Sequence, residues 1–442
     1  MVKIKKMSSA GTFYPAQKEE LEELFKIYTV EAPKYYSRAI IIPHAGYKYS
    51  GKLAAKGIQQ LNKAVKNIFI FAPAHYERIF GCSVCDYNAF ETPLGDIEVN
   101  QTLTKEIGKL CDCNTSNFAF EKEHSIEVQL PLIKYFLPNA KIVPVLYGCE
   151  NFKNLSETIE HFYEDEENGF IISSDLSHFY PEKEASKIDN YTAKMIEENN
   201  LSNFEQEQAC GAVGICGLIE FAKKKDYSLI RKGLINSAAA TGDSSRVVGY
   251  GCWILYDGEK NQYIKKYYSD FVRKICSDSI LSGLQLGHTE VNNYECIFDE
   301  YGASFVTLEL NGILRGCIGS IIPHRSLLND LIKNAHAAAF SDPRFPGLTL
   351  NEFNKINIKV SLLSIPERLH FDTEEELLQK LKPYEDGLII RDGNYQAVFL
   401  PDVWEQLPDK KEFLEQLKLK AGLPKNYFSE NLEAFKFSTT KI

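Results

Sequence analysis

The chain of 442 residues has no excess of positive charge: 50 Lys and Arg stand against 60 Asp and Glu, a formal net charge of −10. That balance argues against broad binding to nucleic acid or to anionic membranes, both of which favour a basic face. Long apolar runs are missing too, and nothing approaches the roughly 20 residues that a membrane-spanning helix requires. The basic start, Met1 to Lys6, leads into Ser8-Ser-Ala-Gly-Thr12 rather than an apolar stretch. A signal peptide is therefore not expected, and a cytoplasmic location is. A zinc or disulfide framework has little support. Cys82 and Cys85 form the single C-x-x-C pair among 11 cysteines, and Cys111 and Cys113 are too close together to supply a second half. Reduced, mostly buried thiols are expected instead. No repeat or low-complexity segment occurs.

What is present is the composition of a globular protein, 44% apolar and 25% charged. The length exceeds one ordinary core and implies two or three domains. Up to about residue 258, strand-like and helix-like segments alternate. Strands are expected at 38–43, 67–72, 97–99, 141–146, 169–174 and 247–256. Helices are expected at 17–28, 51–62, 101–110, 154–163, 182–199 and 213–224. This alternation predicts an α/β domain with a largely parallel sheet sandwiched by helices. The polar stretch from Asp257 to Gln262 marks a boundary, giving domains at 1–260 and 261–442. Beyond it, helices at 267–288 and 326–340 mix with strands at 302–310, 356–364, 387–391 and 395–400. The last two flank Asp392-Gly393-Asn394, a hairpin signal, so an α+β domain is expected.

Three histidines stand just past apolar runs: His44 after 38–43, His75 after 68–74 and His178 after 170–177. Ligands of open α/β sheets bind outside the carboxyl ends of the strands, so the three imidazoles are expected to share one cleft. Imidazole is both a common metal ligand and a common general base. Two histidines plus a carboxylate form the facial site of non-haem iron enzymes, and Asp175 can supply that carboxylate. A thiolate can take the same place, with Cys210 the best-placed candidate; a helix N-terminus after it would lower its pKa. Glu123, His124 and Glu127 lie at an expected helix start. Either acid can orient a metal-bound histidine, or simply complement the helix dipole.

These residues also carry a resemblance. Ser9-Ala-Gly-Thr-Phe-Tyr-Pro15, Pro43-His-Ala-Gly-Tyr-Lys-Tyr-Ser-Gly51, Glu91-Thr-Pro-Leu-Gly-Asp96, Glu123-His-Ser-Ile-Glu-Val-Gln-Leu-Pro131 and Ser173-Ser-Asp-Leu-Ser-His178 resemble the Memo family in order and spacing. Ala74 departs from the serine more usual there. The resemblance implies the fold of class III extradiol dioxygenases. It further implies metal ligation by His44, His75 and Cys210, and an acid/base role for His178. A cysteine where the dioxygenases carry a glutamate argues against ordinary catechol cleavage.

In the second half, Leu314-Arg-Gly-Cys-Ile-Gly-Ser320 reads as a glycine-rich turn. Arg315, Arg325 and Arg344 can form an anion site around Cys317 or act as salt-bridge partners. Leu314 to Gly319, Asp342-Pro-Arg-Phe345, Gly387-Leu-Ile-Ile-Arg391, Val398-Phe-Leu-Pro401 and Lys420-Ala-Gly-Leu-Pro424 resemble the AMMECR domain, a two-lobed α+β fold with a cleft. Lys418 stands where relatives often carry cysteine, which argues against a paired-thiol role for Cys317.

The expected function is a metal-binding redox protein, dioxygenase-like or an oxidoreductase, on an unknown small molecule. Its cofactor would be Fe(II) or copper, with zinc as a further candidate. Asp175, Glu123 and His124 would assist His178. Both resemblances imply a radical SAM enzyme as partner; this chain itself lacks the C-x3-C-x2-C motif. Two other readings are a metal-free nucleophile at Cys210 and a non-enzymatic adaptor that binds a peptide in a relic cleft.

Overall fold

The structure is a computed structural model and describes residues 2–148, 151–202, 204–287, 291 and 294–442. The chain divides into two compact units, Met1–Lys260 and Asn261–Ile442.

Among the described residues, the main sheet of the first unit has nine strands: β1 (Ala39–Ile42), β2 (Asn67–Pro73), β3 (Cys82–Val84), β4 (Asn114–Thr115), β5 (Lys141–Tyr147), β6 (Asn168–Ser173), β7 (His178–Tyr180), β8 (Ser228–Asn236) and β9 (Val247–Tyr256). Their order is β7-β9-β1-β6-β2-β5-β3-β4, with β8 paired to β9. The four central strands, β1, β6, β2 and β5, run parallel. Both flanks join them antiparallel. Every residue of β1, β2 and β6 is buried, as strands covered on both faces must be. Phe69 and Phe170 stack across neighbouring strands at 5.2 Å, and Phe162 adds a ring from helix Phe152–Tyr163.

Local sequence accounts for some element ends. Helix Gln101–Leu110 begins where the Asn100 side chain accepts from the Leu103 amide. The helix expected at 51–62 is shorter: a π-helical turn over Tyr47–Gly51 runs into an α-helix over Lys52–Ile58. The strand expected at 97–99 is Ile97–Glu98, and it belongs to a separate small sheet with Ile4–Lys5 and Ala89–Phe90. Strand β8 escaped the apolar pattern because Arg231 and Lys232 interrupt it. Arg231 is nonetheless buried, forked onto Glu197 at 2.5 and 2.9 Å. The cysteine expectation needs one correction. Cys82 and Cys113 are joined as a disulfide, because the β3–β4 pairing, invisible in the spacing, brings them side by side.

The second unit holds two four-stranded sheets. The first contains β10 (Ala303–Leu310), β11 (Ile313–Gly319), β12 (Ile356–Leu363) and a late strand, Thr439–Lys441, in the order β11-β10-β12-late strand. The second contains Glu367–Leu369, Gly387–Asp392, Tyr395–Phe399 and Glu433–Phe437. Trp404 stacks on Phe413 at 3.6 Å in the core beside this sheet. The hairpin signal forms a two-residue turn, Asp392 facing Tyr395, with Gly393 at φ +55°. The helix expected at 267–288 instead spans Lys260–Gly283, and residue 288 lies outside the described residues. The expected turn over 314–320 is the strand β11. No helix among the described residues is long and apolar enough to cross a membrane.

Candidate metal centre

Strands β1, β6 and β2 are consecutive in the sheet and parallel, so their carboxyl ends share one edge. His44 follows β1, His75 follows β2, and His178 opens β7 after the loop that leaves β6. This adjacency brings distant residues together. One ligand atom from each of His44, His75 and His124 lies within 4.8 Å of the others. The third member, His124, enters from the short helix His124–Glu127, capped by Glu123.

Each imidazole is oriented by a specific partner. His44 Nδ1 is 2.9 Å from Ser173 Oγ. That hydroxyl gives its proton to the Ser125 carbonyl at 2.7 Å and so must accept from His44. His44 Nε2 is left as the lone-pair nitrogen, 3.3 Å from Cys210 Sγ. His75 donates through its backbone N–H and Nδ1 to the two oxygens of Glu123, at 2.6 and 2.9 Å. A carboxylate can only accept, so Nδ1 carries the proton and Nε2 is the lone-pair nitrogen of the neutral ring. His124 stacks on Phe13 at 4.5 Å. Its Nδ1 is buried without a hydrogen bond, though 3.4 Å from Glu123 Oε1.

At His44, His124 and His178 the electrostatics favour the neutral imidazole, the form that binds metal. Burial pushes His44 well below its ordinary pKa, and the neighbouring His75, His124 and His178 add to this. Burial also takes His124 down to about 4, against the opposing pull of Glu123. Burial lowers His178, with a backbone hydrogen bond at Leu176 acting the other way. Glu123 is the converse case. Burial raises it, but hydrogen bonds from His75 and Ser125 prevail and hold it near 2.

Asp175 accepts from the His44 amide at 2.9 Å. Burial lifts its pKa to about 7, so its proton can move at neutral pH. Cys210 is wedged against the same loop, its sulfur accepting the Asp175 amide at 3.3 Å. A thiol lowered by the following helix is not what the structure gives: burial, then Asp175, pushes Cys210 up. Gly211 is required beside it, because a Cβ there would stand 2.5 Å from Ser174 Cβ and 2.8 Å from the Ser173 carbonyl.

Glu127 does not face the histidines. It takes hydrogen bonds from the Ser8 and Ser9 amides, the Tyr14 hydroxyl and buried Lys5, so it anchors the N-terminal segment. Sequence reasoning also passed over several supporting residues. Gln129 donates to the Pro43 carbonyl at 2.9 Å and to Ser173 Oγ at 3.1 Å. Asp189, buried on helix Glu182–Glu197, takes the Ser177 amide at 3.0 Å and so braces the residue before His178. Gln129 and Ser173 lie inside the matched motifs, whereas nothing local signals Asp189.

In the second unit, each of the three arginines has its own carboxylate. Arg315 meets Glu352 at 2.8 Å, Arg325 meets Asp330 at 2.9 Å, and Arg344 meets Asp342 at 2.7 Å. This pairing favours the salt-bridge alternative over an anion site. Cys317 lies on strand β11, its amide held by Asp342 at 2.8 Å and its sulfur 3.3 Å from Thr307 Oγ1. The glycines around it serve close approach: a Cβ on Gly316 would stand 2.1 Å from the Ala338 carbonyl oxygen. Lys418 is buried and ion-paired to Glu374.

Comparison with known proteins agrees with the site-bearing unit. The family profile described as Memo-like protein matches residues 5–254, and the AMMECR1 profile matches residues 273–442. A MEMO1 family protein of Aquifex aeolicus is 31% identical over 262 residues, covering 56% of this chain and 98% of its own. One from Methanococcoides burtonii is 33% identical over 265 residues, covering 56% of this chain and 97% of its own. A solved structure of an uncharacterized protein from Pyrococcus horikoshii is 32% identical, covering 39% of this chain and 88% of that one, with a TM-score of 0.36. With the Memo match spanning more than half its length, the chain belongs to the Memo family and carries an AMMECR1 domain as its second half.

Proposed function

We propose that the first unit is a metal-binding redox protein with dioxygenase-like or oxidoreductase chemistry on a small substrate. The observation that carries this reading is the histidine trio: three ligand atoms within 4.8 Å, two rings locked through Nδ1, and one buried Nδ1 without a hydrogen bond. His44 and His75 would hold iron or copper through Nε2. Two side chains compete for the third position, Cys210 beside His44 and His124 within the trio. A thiolate there would favour a softer or redox-active metal. When bound, the metal would supply electron transfer and Lewis acidity.

The protein's own groups do the rest. Asp175 would hold or release a proton close to the His44 backbone. His178, neutral and partly accessible, would move protons at the cleft. Glu123 and Ser173 fix the tautomers of His75 and His44, so that no ring must turn to bind. The raised Cys210 pKa weighs against a metal-free thiolate nucleophile. We extend the proposal to a radical SAM enzyme as partner on the family resemblance, to be checked by co-purification.

The deciding experiment is elemental analysis of anaerobically purified protein. Near-stoichiometric iron or copper is expected in the wild type and its loss in His44→Ala and His75→Ala. Cys210→Ser and His124→Ala then identify the third donor. Wild-type protein that takes up neither iron nor copper on anaerobic titration would overturn the reading.

A further inference from the structure

Away from the histidines, the sulfur-bearing edge of the same sheet is not used by the function proposed above. Cys82 opens β3, and Cys113 directly precedes β4. Those strands pair in parallel with Ser83 opposite Asn114. The register therefore sets the two preceding residues, Cys82 and Cys113, against one another, and they are bonded. Strand β4 is the last of the sheet, and both its residues are exposed. Cys82 is buried while Cys113 is partly exposed, so a thiol from solvent meets Cys113 first. Cys111 lies in the same exposed turn, its carbonyl 3.7 Å from Cys82 Sγ and its sulfur 2.9 Å from Thr158 Oγ1.

The bridge is also redundant. The Ser116 amide donates to the Val84 carbonyl at 2.9 Å, Ser83 Oγ to the Asn114 carbonyl at 3.1 Å, and the Cys113 amide to the Gly108 carbonyl at 2.9 Å. The first two bonds, with the strand pairing itself, join β3 to β4 independently of the sulfurs, and the third fixes the turn that leads into β4. A link that is accessible from one side and unnecessary for the pairing has the character of an exchangeable disulfide rather than a structural one.

We propose that Cys82 and Cys113 form a reversible thiol–disulfide site that exchanges with low-molecular-weight thiols and disulfides. In the oxidising direction, the Cys113 thiolate attacks one sulfur of a small disulfide, forming a mixed disulfide and releasing one thiolate. The Cys82 thiolate then attacks Cys113 Sγ, closes the bridge and releases the second. Two electrons pass from the protein dithiol to the small disulfide, and two small thiols leave. Reduction runs the same steps backwards, beginning at the more accessible Cys113. The bridge stands at the foot of the loop that carries His75, where the Gly148 amide holds the Gly81 carbonyl at 3.1 Å. Its chemistry does not depend on a metal at the histidines.

The test equilibrates the full chain in mixtures of reduced and oxidised glutathione, followed by acid quench, alkylation and peptide mapping. Residues 82 and 113 should pass together from alkylated to bridged across the series, while buried Cys85, Cys216, Cys252 and Cys276 stay alkylatable only after denaturation. Cys82→Ser should trap a glutathione adduct on Cys113, and Cys111→Ser should leave the half-point unchanged. A bridge that stays closed in millimolar dithiothreitol under native conditions would overturn the proposal. So would thiols that never pair in oxidised glutathione, or a bridge that maps to Cys111.

Discussion

Replacing Glu123 by Gln tests whether a single buried carboxylate organises the candidate centre. Glu123 accepts from the His75 amide, His75 Nδ1 and the Ser125 amide at 2.6, 2.9 and 3.0 Å. Its pKa near 2 lies about 2.5 below the ordinary 4.5, a preference for the ionised form of roughly 3 kcal/mol. A depressed carboxylate contributes stability that is present above its unfolded pKa and is lost as pH falls through the folded one. The Glu123 contribution is therefore complete above about pH 4.5 and gone near pH 2. Gln retains one accepting oxygen but turns an N–H2 toward a donor. We expect Glu123→Gln to lose about 2 kcal/mol at pH 7, the gap closing as pH falls. Trp253 and Trp404 are the two tryptophans of the chain, one in each unit, so fluorescence in a Trp404→Phe background follows the first unit in urea. The same variant should bind zinc, as a probe, about 10- to 100-fold more weakly, because His75 is no longer held in its tautomer. Equal zinc affinity in variant and wild type, both folded by circular dichroism, would refute the reasoning.

Three further outcomes are expected. Burial holds Asp189 near pKa 6, above its ordinary 3.8, so its ionisation costs stability as pH rises through that window. Asp189→Asn should raise the unfolding free energy of the first unit by about 1–2 kcal/mol at pH 8 and by nothing below about pH 4; a gain independent of pH would contradict this. Gly211→Ala drives a methyl into Ser174 and should cost about 1–3 kcal/mol, displacing Cys210 and slowing or exposing its alkylation; an unchanged melting temperature would speak against the packing described. Gly316→Ala meets the Ala338 carbonyl oxygen at 2.1 Å and should destabilise the second unit by a similar amount, read from Trp404 fluorescence. If that variant melted like wild type, the close approach of β11 to helix Leu327–Phe340 would be in error.

The sequence by itself determined the elements whose information is local. Apolar runs read as β1, β2 and β6 because a strand buried on both faces leaves little room for polar residues. Asp392-Gly393-Asn394 marked a hairpin because its left-handed turn needs particular residues. Placing His44, His75 and His178 past strand-like runs was legible for the same reason. Tertiary structure alone decided what depends on neighbours distant in the chain. The order β1-β6-β2 determines that those strand ends meet, and strand order is not written in any one strand. Glu123 and Glu127 look alike in sequence, yet one grips His75 and the other Lys5 and the N-terminal segment. They stand four residues apart around one short helix, but each answers to a different neighbouring segment. Cys82 and Cys113, 31 residues apart, became partners through the β3–β4 register. Local residue types set which chemistry each segment can offer, while long-range packing sets which groups come within bonding distance.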